Sequence, residues 1–237
     1  MSNIIDFHTH ILPGMDDGSK SVEESIAMLR QETEQGIDNV VLTSHFYARY
    51  SSPSKFLMTR NEAEALLRRE MSKHNDLPNL YTGAEIYFFS GISDSDALWE
   101  LTIDKKGCII LEMPESPWTD SMFKEIENIS IKQGITPIIA HIDRYIRPFR
   151  TYGILERLSD MPVLVQANAS FFLNKYTKRM ALRLLQTDKI HLLGSDCHNI
   201  TSRPPNLGQA LGVIEQRLGT EALDRIVNYQ EMLFSAE

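Results

Sequence analysis

Apolar runs of strand length recur along the chain, and between them the apolar positions fall at helical spacing. The runs lie at residues 4–7, 39–44, 80–86, 108–113, 136–142, 162–167 and 190–195. Most are continuously apolar rather than alternating, the pattern of strands covered on both faces of a parallel sheet. The intervening segments carry helix punctuation. Ser21 with Glu24 reads as a capping box, and Gly36 closes that helix after an apolar stripe through Ile26 and Leu29. Thr59 with Glu62 is expected to open a second helix. Others are expected at 121–133 (followed by Gly134), 176–187, 206–218 and from Thr220 onward. Seven strand–helix alternations, with no repeat, linker or low-complexity segment, predict an α/β fold: one domain over residues 1–237, closed as a parallel barrel. An open doubly wound sheet is the runner-up. No G-x-G-x-x-G or Walker-type phosphate loop accompanies the strands.

Composition narrows the class. The chain has 237 residues, 42% hydrophobic and 24% charged, enough for one large core. A formal charge of -8 argues against a general nucleic-acid binder and suits a site that gathers carboxylates around cations. Two cysteines, Cys108 and Cys197, make no disulfide framework and no C-x-x-C pair. No apolar run reaches the ~18 residues of a membrane span, and the first residues lack a signal-peptide pattern. A cytoplasmic protein without direct membrane insertion is expected.

Chemistry-bearing side chains then cluster by position. His8 and His10 follow the first run as D-F-H-T-H, and Asp17 lies in the next loop as G-M-D-D-G. His45 follows the second run, Glu85 ends the third, Glu112 the fourth and His141 the fifth. Asp196 and His198 end the seventh in G-S-D-C-H-N, whereas His74 and His191 lie elsewhere. In a parallel barrel all these ends open onto one face, so residues distant in sequence converge there. A lone H-x-H is a weak signal. Nine imidazoles and carboxylates at one face, many of them beside apolar runs, are not, because burying them without cations is costly. Imidazole with carboxylate suits Zn, Mn or Fe rather than a thiolate or all-oxygen calcium site.

Within the last segment, Cys197 and Arg203 form C-x5-R, the spacing of cysteine-dependent tyrosine phosphatases. The context opposes a thiolate nucleophile. The loop lacks glycines, Pro204 follows Arg203, and Asp196 beside the cysteine would raise a thiol pKa.

At these residues the sequence resembles the PHP (polymerase and histidinol phosphatase) superfamily. Within it, the likeness is to the manganese-dependent protein-tyrosine phosphatases of bacterial capsule and exopolysaccharide loci. The segments that carry it run from D-F-H-T-H-I-L-P-G-M-D-D-G-S-K-S through G-A-E-I-Y and H-I-D-R-Y to G-S-D-C-H-N-I-T-S-R-P-P, spanning residues 6–205. The resemblance implies a distorted seven-stranded (β/α)7 TIM-like barrel of PHP type that holds three divalent ions. Mn2+ is the metal it favours, with Fe, Zn, Co or Mg as alternatives. It implies His8, His10, Glu85 and Asp196 for one ion, Glu85, Glu112 and His141 for a second, and Asp17, His45 and His198 for a third. It also implies a phosphotyrosine-containing protein as substrate, in particular a bacterial tyrosine kinase that controls capsular or exopolysaccharide synthesis.

The mechanism expected is in-line attack on phosphorus by a hydroxide held between the metals. Arg144 and Arg203 are the expected phosphate clamps, with Arg49 and Arg147 as weaker candidates. His45 or His198 could serve as an acid if not committed to metal. Phe46, Tyr47, Tyr50, Phe56 and Tyr87 are candidates for an aromatic rim, with core packing as the equal alternative. Competing functions are hydrolysis of a small phosphomonoester such as histidinol phosphate, phosphodiester cleavage, and a non-catalytic metal-stabilised regulator. An amidohydrolase barrel often needs a strand-end lysine, and none of the seven runs ends in one.

Overall fold

The computed structural model describes residues 4–146 and 153–235. Nine parallel strand segments alternate with helices along it: β1 Ile5–Thr9, α1 Val22–Glu34, β2 Asn39–Leu42, β3 His45–Phe46, α2 Pro53–Met71, β4 Asn79–Thr82, β5 Glu85–Tyr87, β6 Cys108–Glu112, α3 Asp120–Gln133, β7 Thr136–Ile139, α4 Ile154–Ser159, β8 Leu164–Asn168, α5 Ala169–Leu173, α6 Lys178–Gln186, β9 Leu192–Gly194, α7 Leu207–Leu218 and α8 Thr220–Ser235. They form a sheet in the order β1-β2-β4 and a second in the order β3-β5-β6-β7-β8-β9.

Two of the expected strands are each broken in two. β2 and β3 are separated by Thr43 and Ser44, where the Thr43 hydroxyl both donates to the Thr9 carbonyl (3.0 Å) and accepts from the Thr9 N–H (3.0 Å). That side chain substitutes for ladder bonds and lets the backbone turn. β4 and β5 are separated by Gly83 and Ala84. The sheet curls back on itself where β1 meets the end of β9: Asp196 N–H donates to His8 O (2.8 Å) and His10 N–H to Cys197 O (2.9 Å). The architecture is thus a curled parallel α/β sheet, as expected, and not the open doubly wound alternative.

Parallel register puts partnered residues on the same face. Val41, Ile110, Ile138, Leu164 and Leu192 therefore line the inside, together with Ile5, Phe7 and Cys108. Leu233 and Phe234 at the end of α8 join this inner set, and the Phe234 ring lies 4.4 Å from that of Tyr81 and 5.8 Å from that of Phe7. The opposite faces pack on the helices in a second, larger core.

Helix ends follow their capping residues. Ser21 accepts from Glu24 N–H at the start of α1, and Gly134 with φ +65 ends α3. The second helix begins earlier than Thr59. Ser52 accepts from Lys55 N–H, Pro53 occupies the first turn, and Thr59 lies inside α2 with its hydroxyl donating back to Lys55 O.

Candidate metal centre

The eight side chains expected at strand ends, and Asp17 from the first loop, meet at the C-terminal end of the curled sheet. A bulge makes this work in β1, where the register to β2 shifts between Asp6 and Thr9. Without it, His8 and His10 would share the outward face of Asp6 rather than the inward face of Ile5 and Phe7. Gly194 makes room for the result: a Cβ there would lie 2.5 Å from His8 Cβ and 2.9 Å from His8 N. His141 and Asp196, two residues beyond the ends of β7 and β9, have left-handed backbones with φ of 32° and 54°. Such conformations are uncommon for residues other than glycine and concentrate at functional sites.

Glu85 stands at the centre. Its Oε2 lies 3.2 Å from His8 Nε2, 3.3 Å from His10 Nε2 and 2.9 Å from His45 Nδ1, and its Oε1 lies 2.8 Å from His141 Nε2. Glu112 adds oxygens 3.7 Å from His141 Nε2 and 3.8 Å from His45 Nδ1. Asp196 Oδ1 lies 3.6 Å from His10 Nε2 and 3.7 Å from His198 Nδ1. Asp17 is 67% exposed, and its Oδ1 reaches to 3.5 Å from His45 Nε2 and 3.4 Å from His198 Nε2.

Three groups among the described residues have donor spacing suited to a metal ion: His8, His10 and Glu85; His45, Glu85 and Glu112; and His10, Asp17, His45 and His198. They overlap the three expected sets but give His45 a place in two of them and join His10 to the third. Donor chemistry supports the fit. His8 Nε2 and His10 Nε2 are 3.2 Å apart, so an ion ~2.1 Å from each would subtend about 100° between them. Four buried atoms that face the cluster, His45 Nδ1, Glu85 Oε2, Glu112 Oε2 and His198 Nε2, make no hydrogen bond of good geometry, although His45 Nδ1 and Glu85 Oε2 lie 2.9 Å apart. Orphaned buried polar atoms are costly, and a shared cation satisfies several lone pairs at once.

The electrostatics point the same way. Burial would raise Glu85 and Asp196, but the imidazoles of His8 and His10 hold both well below the usual carboxylate range. Burial and the neighbouring Glu85 charge push Glu112 up. Burial would lower His10, yet the hydrogen bond and charge of Asp16, with Glu85, push it up to about 10. Without bound cations, the neighbouring carboxylates thus favour protonated rings at His8 and His10. Divalent cations displace those protons, because a ligating imidazole must be neutral. His198 is already suited: burial, with His10 and Arg203 nearby, lowers it to about 4. A neutral imidazole keeps a single, very weakly acidic N–H, which favours ligand over acid for His198.

Both expected phosphate clamps sit at the edge of the cluster, held on Asp196. Arg144 Nη2 lies 2.6 Å and Arg203 Nη2 2.7 Å from its two oxygens, and Arg144 Nη1 is 3.4 Å from Glu112. Arg49 is exposed and stacks on Tyr50 at 5.7 Å; Arg147 lies outside the described residues. The aromatic rim separates into two parts. Phe46 and Phe56 belong to the core, because β3 and α2 turn them inward. Tyr47 lies beside the cluster, its ring 5.2 Å from that of His45 and 5.5 Å from that of Tyr87. Tyr47 and Tyr50 help line a cleft of about 190 Å³ that opens next to His45.

Cys197 faces away from the cluster, fully buried, with its sulfur 3.9 Å from Glu32 Oε1. Burial and the carboxyls of Glu32 and Asp6 raise its thiol well above the ordinary range, so it offers no thiolate.

Supporting residues were not singled out in the sequence. Gln166 accepts from His141 N–H (2.6 Å), Asn168 donates to Asp196 Oδ2 (2.9 Å), and Asp16 accepts from His10 Nδ1 (2.8 Å). Only Asp16 had a visible signal, as the first of two adjacent aspartates.

The family model for capsular polysaccharide synthesis, CpsB/CapC, matches residues 4–233. The tyrosine-protein phosphatase CpsB of Streptococcus pneumoniae is 34% identical over 236 residues, which cover 92% of each chain. The tyrosine-protein phosphatase YwqE of Bacillus subtilis is 28% identical over 97% of this chain and 91% of its own. A crystal structure from work on YwqE of Bacillus subtilis and CpsB of Streptococcus pneumoniae, described as unique metal-dependent tyrosine phosphatases, superposes with a TM-score of 0.86. It is 26% identical and covers 99% of this chain and 96% of its own. Sequence, fold and the histidine–carboxylate cluster thus agree, and the chain belongs to the CpsB/CapC family.

Proposed function

We propose that the chain is a metal-dependent protein-tyrosine phosphatase, with the nine converging side chains as ligands of three divalent ions, Mn2+ by preference. The observation that carries this reading is the convergence of buried imidazole and carboxylate atoms at metal-ligand spacing, several of them without a hydrogen bond of good geometry. Family membership and the phosphatase relatives support it. When bound, divalent cations make water acidic enough to supply a nucleophile near neutral pH and offset charge on the phosphoryl oxygens.

The chain's own residues do the rest. Arg144 and Arg203 present guanidinium forks that match phosphate oxygens, and their contacts to Asp196 fix where those forks stand. Tyr47 and Tyr87 offer an apolar wall beside His45 for an aryl ring. Burial and the surrounding carboxylates push both phenols up, so they stay neutral. A tyrosine leaving group, with a phenol pKa of ~10, departs with little protonation, which fits a site whose His198 is a neutral imidazole and a poor acid. The protein substrate in this reading is a tyrosine kinase that controls capsular or exopolysaccharide synthesis. Among the described residues no helix is long and apolar enough to cross a membrane. The test is phosphate release from a phosphotyrosyl peptide compared with histidinol phosphate. Faster turnover of the alkyl ester would overturn the tyrosine assignment.

A further inference from the structure

We propose that Asp16 is a positioning residue of the metal centre: its carboxylate fixes the His10 ring with Nε2 toward the cluster and ties that ring to the backbone of His45. The assignment rests on reading the cluster as a metal centre. Of the two adjacent aspartates, Asp17 is 67% exposed and reaches the cluster directly, whereas the Asp16 side chain is only 6% exposed. Asp16 Oδ2 accepts from His10 Nδ1 (2.8 Å) and from His45 N–H (2.9 Å), and its Oδ1 accepts from Gly18 N–H (2.9 Å). One carboxylate thus joins the end of β1, the loop after it and the start of β3.

The consequence for His10 is specific. With Nδ1–H held by Asp16, the lone pair must lie on Nε2, which is the atom 3.2 Å from His8 Nε2 and 3.3 Å from Glu85 Oε2. Metal-ligating imidazoles commonly donate their other N–H in this way, and the partner sets ring orientation and basicity. Two other rings in the cluster have neutral partners at the corresponding nitrogen: His8 Nδ1 faces Gln166 Oε1 at 3.4 Å, and His198 Nδ1 faces the Asp196 carbonyl at 3.1 Å. Asp16 also braces a loop with no slack, since a Cβ on Gly18 would fall 2.2 Å from His10 O. Replacing Asp16 by asparagine keeps the shape but leaves one acceptor oxygen for three N–H groups, so the new amide nitrogen must face a donor.

The experiment is a competition titration of wild type and Asp16→Asn with Mn2+ and Zn2+ against a chelating dye. Nitrogen-15 spectra of the zinc-loaded wild type accompany it. The expected result is about 10–100-fold weaker binding by the variant and a wild-type His10 protonated on Nδ1. A folded variant that binds as tightly as wild type overturns the assignment, and so does a wild-type His10 protonated on Nε2. The spectrum decides alone if the variant fails to fold. Wild-type protein that takes up no divalent metal instead overturns the metal reading itself, and the two failures are told apart by that first titration.

Discussion

Gly194→Ala is a one-methyl change whose effect follows from distances. The added Cβ would meet His8 Cβ at 2.5 Å, His8 N at 2.9 Å and Gln166 Nε2 at 2.9 Å. Comfortable carbon contacts are ~3.5–4.0 Å, so about 1 Å must be absorbed. Two of the three neighbours are main chain or the first side-chain atom of β1, which cannot swing away. The cost is that of overpacking, roughly 1–3 kcal/mol, or a fall in melting temperature of roughly 2–12 °C for a domain of this size. The larger effect is on the site. His8 moves by a sizeable fraction of that ångström, and a misplacement of about 1 Å costs on the order of 100-fold in rate. The assay is kcat/KM on a phenyl phosphate ester with saturating Mn2+, beside thermal melting of the chelated protein. Gly212→Ala is the control: it lies within α7 and a Cβ there meets nothing within 4 Å. That change should leave turnover intact and stabilise by about 0.5–1 kcal/mol. Wild-type melting and turnover in Gly194→Ala would refute the claim that His8 is seated against Gly194.

Three further outcomes follow from the same contacts. Arg203→Ala removes one charge-assisted donor from Asp196 and from the phosphate position, so kcat/KM should fall about 10–100-fold, measured by steady-state kinetics with metal content matched. Metal binding should weaken as pH falls, because His8 and His10, raised by Glu85, Asp196 and Asp16 despite burial, take up protons that compete with cations; titrations between pH 5 and 8 check this. Asp6 and Glu32 are fully buried beside each other, and burial raises both above their ordinary values. The folded state therefore keeps a proton that the unfolded state releases. Its stabilisation is present below the unfolded pKa and is lost as pH rises through the folded one. Glu32→Gln, which donates to Asp6 at any pH, should gain on wild type as pH rises, by on the order of 1 kcal/mol in denaturant melts.

Much of the site was legible because its fold separates tasks along each strand. Residues such as Ile109, Ile110 and Leu111 fill both faces and read as an unbroken apolar run, and the chemistry begins where that run stops, at Glu112. Strand ends could therefore be found from hydrophobicity, and their convergence followed from parallel topology. What was not legible depends on backbone irregularity. Nothing in D-F-H-T-H announces the β1 bulge, and nothing in apolar 39–44 announces the break at Thr43, which rests on a side chain bonding a distant backbone. The left-handed turns at His141 and Asp196 leave no compositional trace. The start of α2 was readable in Ser52–Pro53 but was obscured by the Thr59 and Glu62 pair within the helix. Arg144 and Arg203 stand at the cluster as expected, yet their shared hold on Asp196 required three dimensions.

If these histidines and carboxylates hold divalent metal, phosphotyrosine hydrolysis must depend on that metal. Elemental analysis of the purified protein, run beside phosphate release from a phosphotyrosyl peptide, tests it most directly. The expected result is stoichiometric divalent metal, turnover that disappears with chelator and returns with Mn2+, and full activity in Cys197→Ser. Turnover that survives removal of the metal, or that is abolished by Cys197→Ser while the metal stays bound, would contradict it.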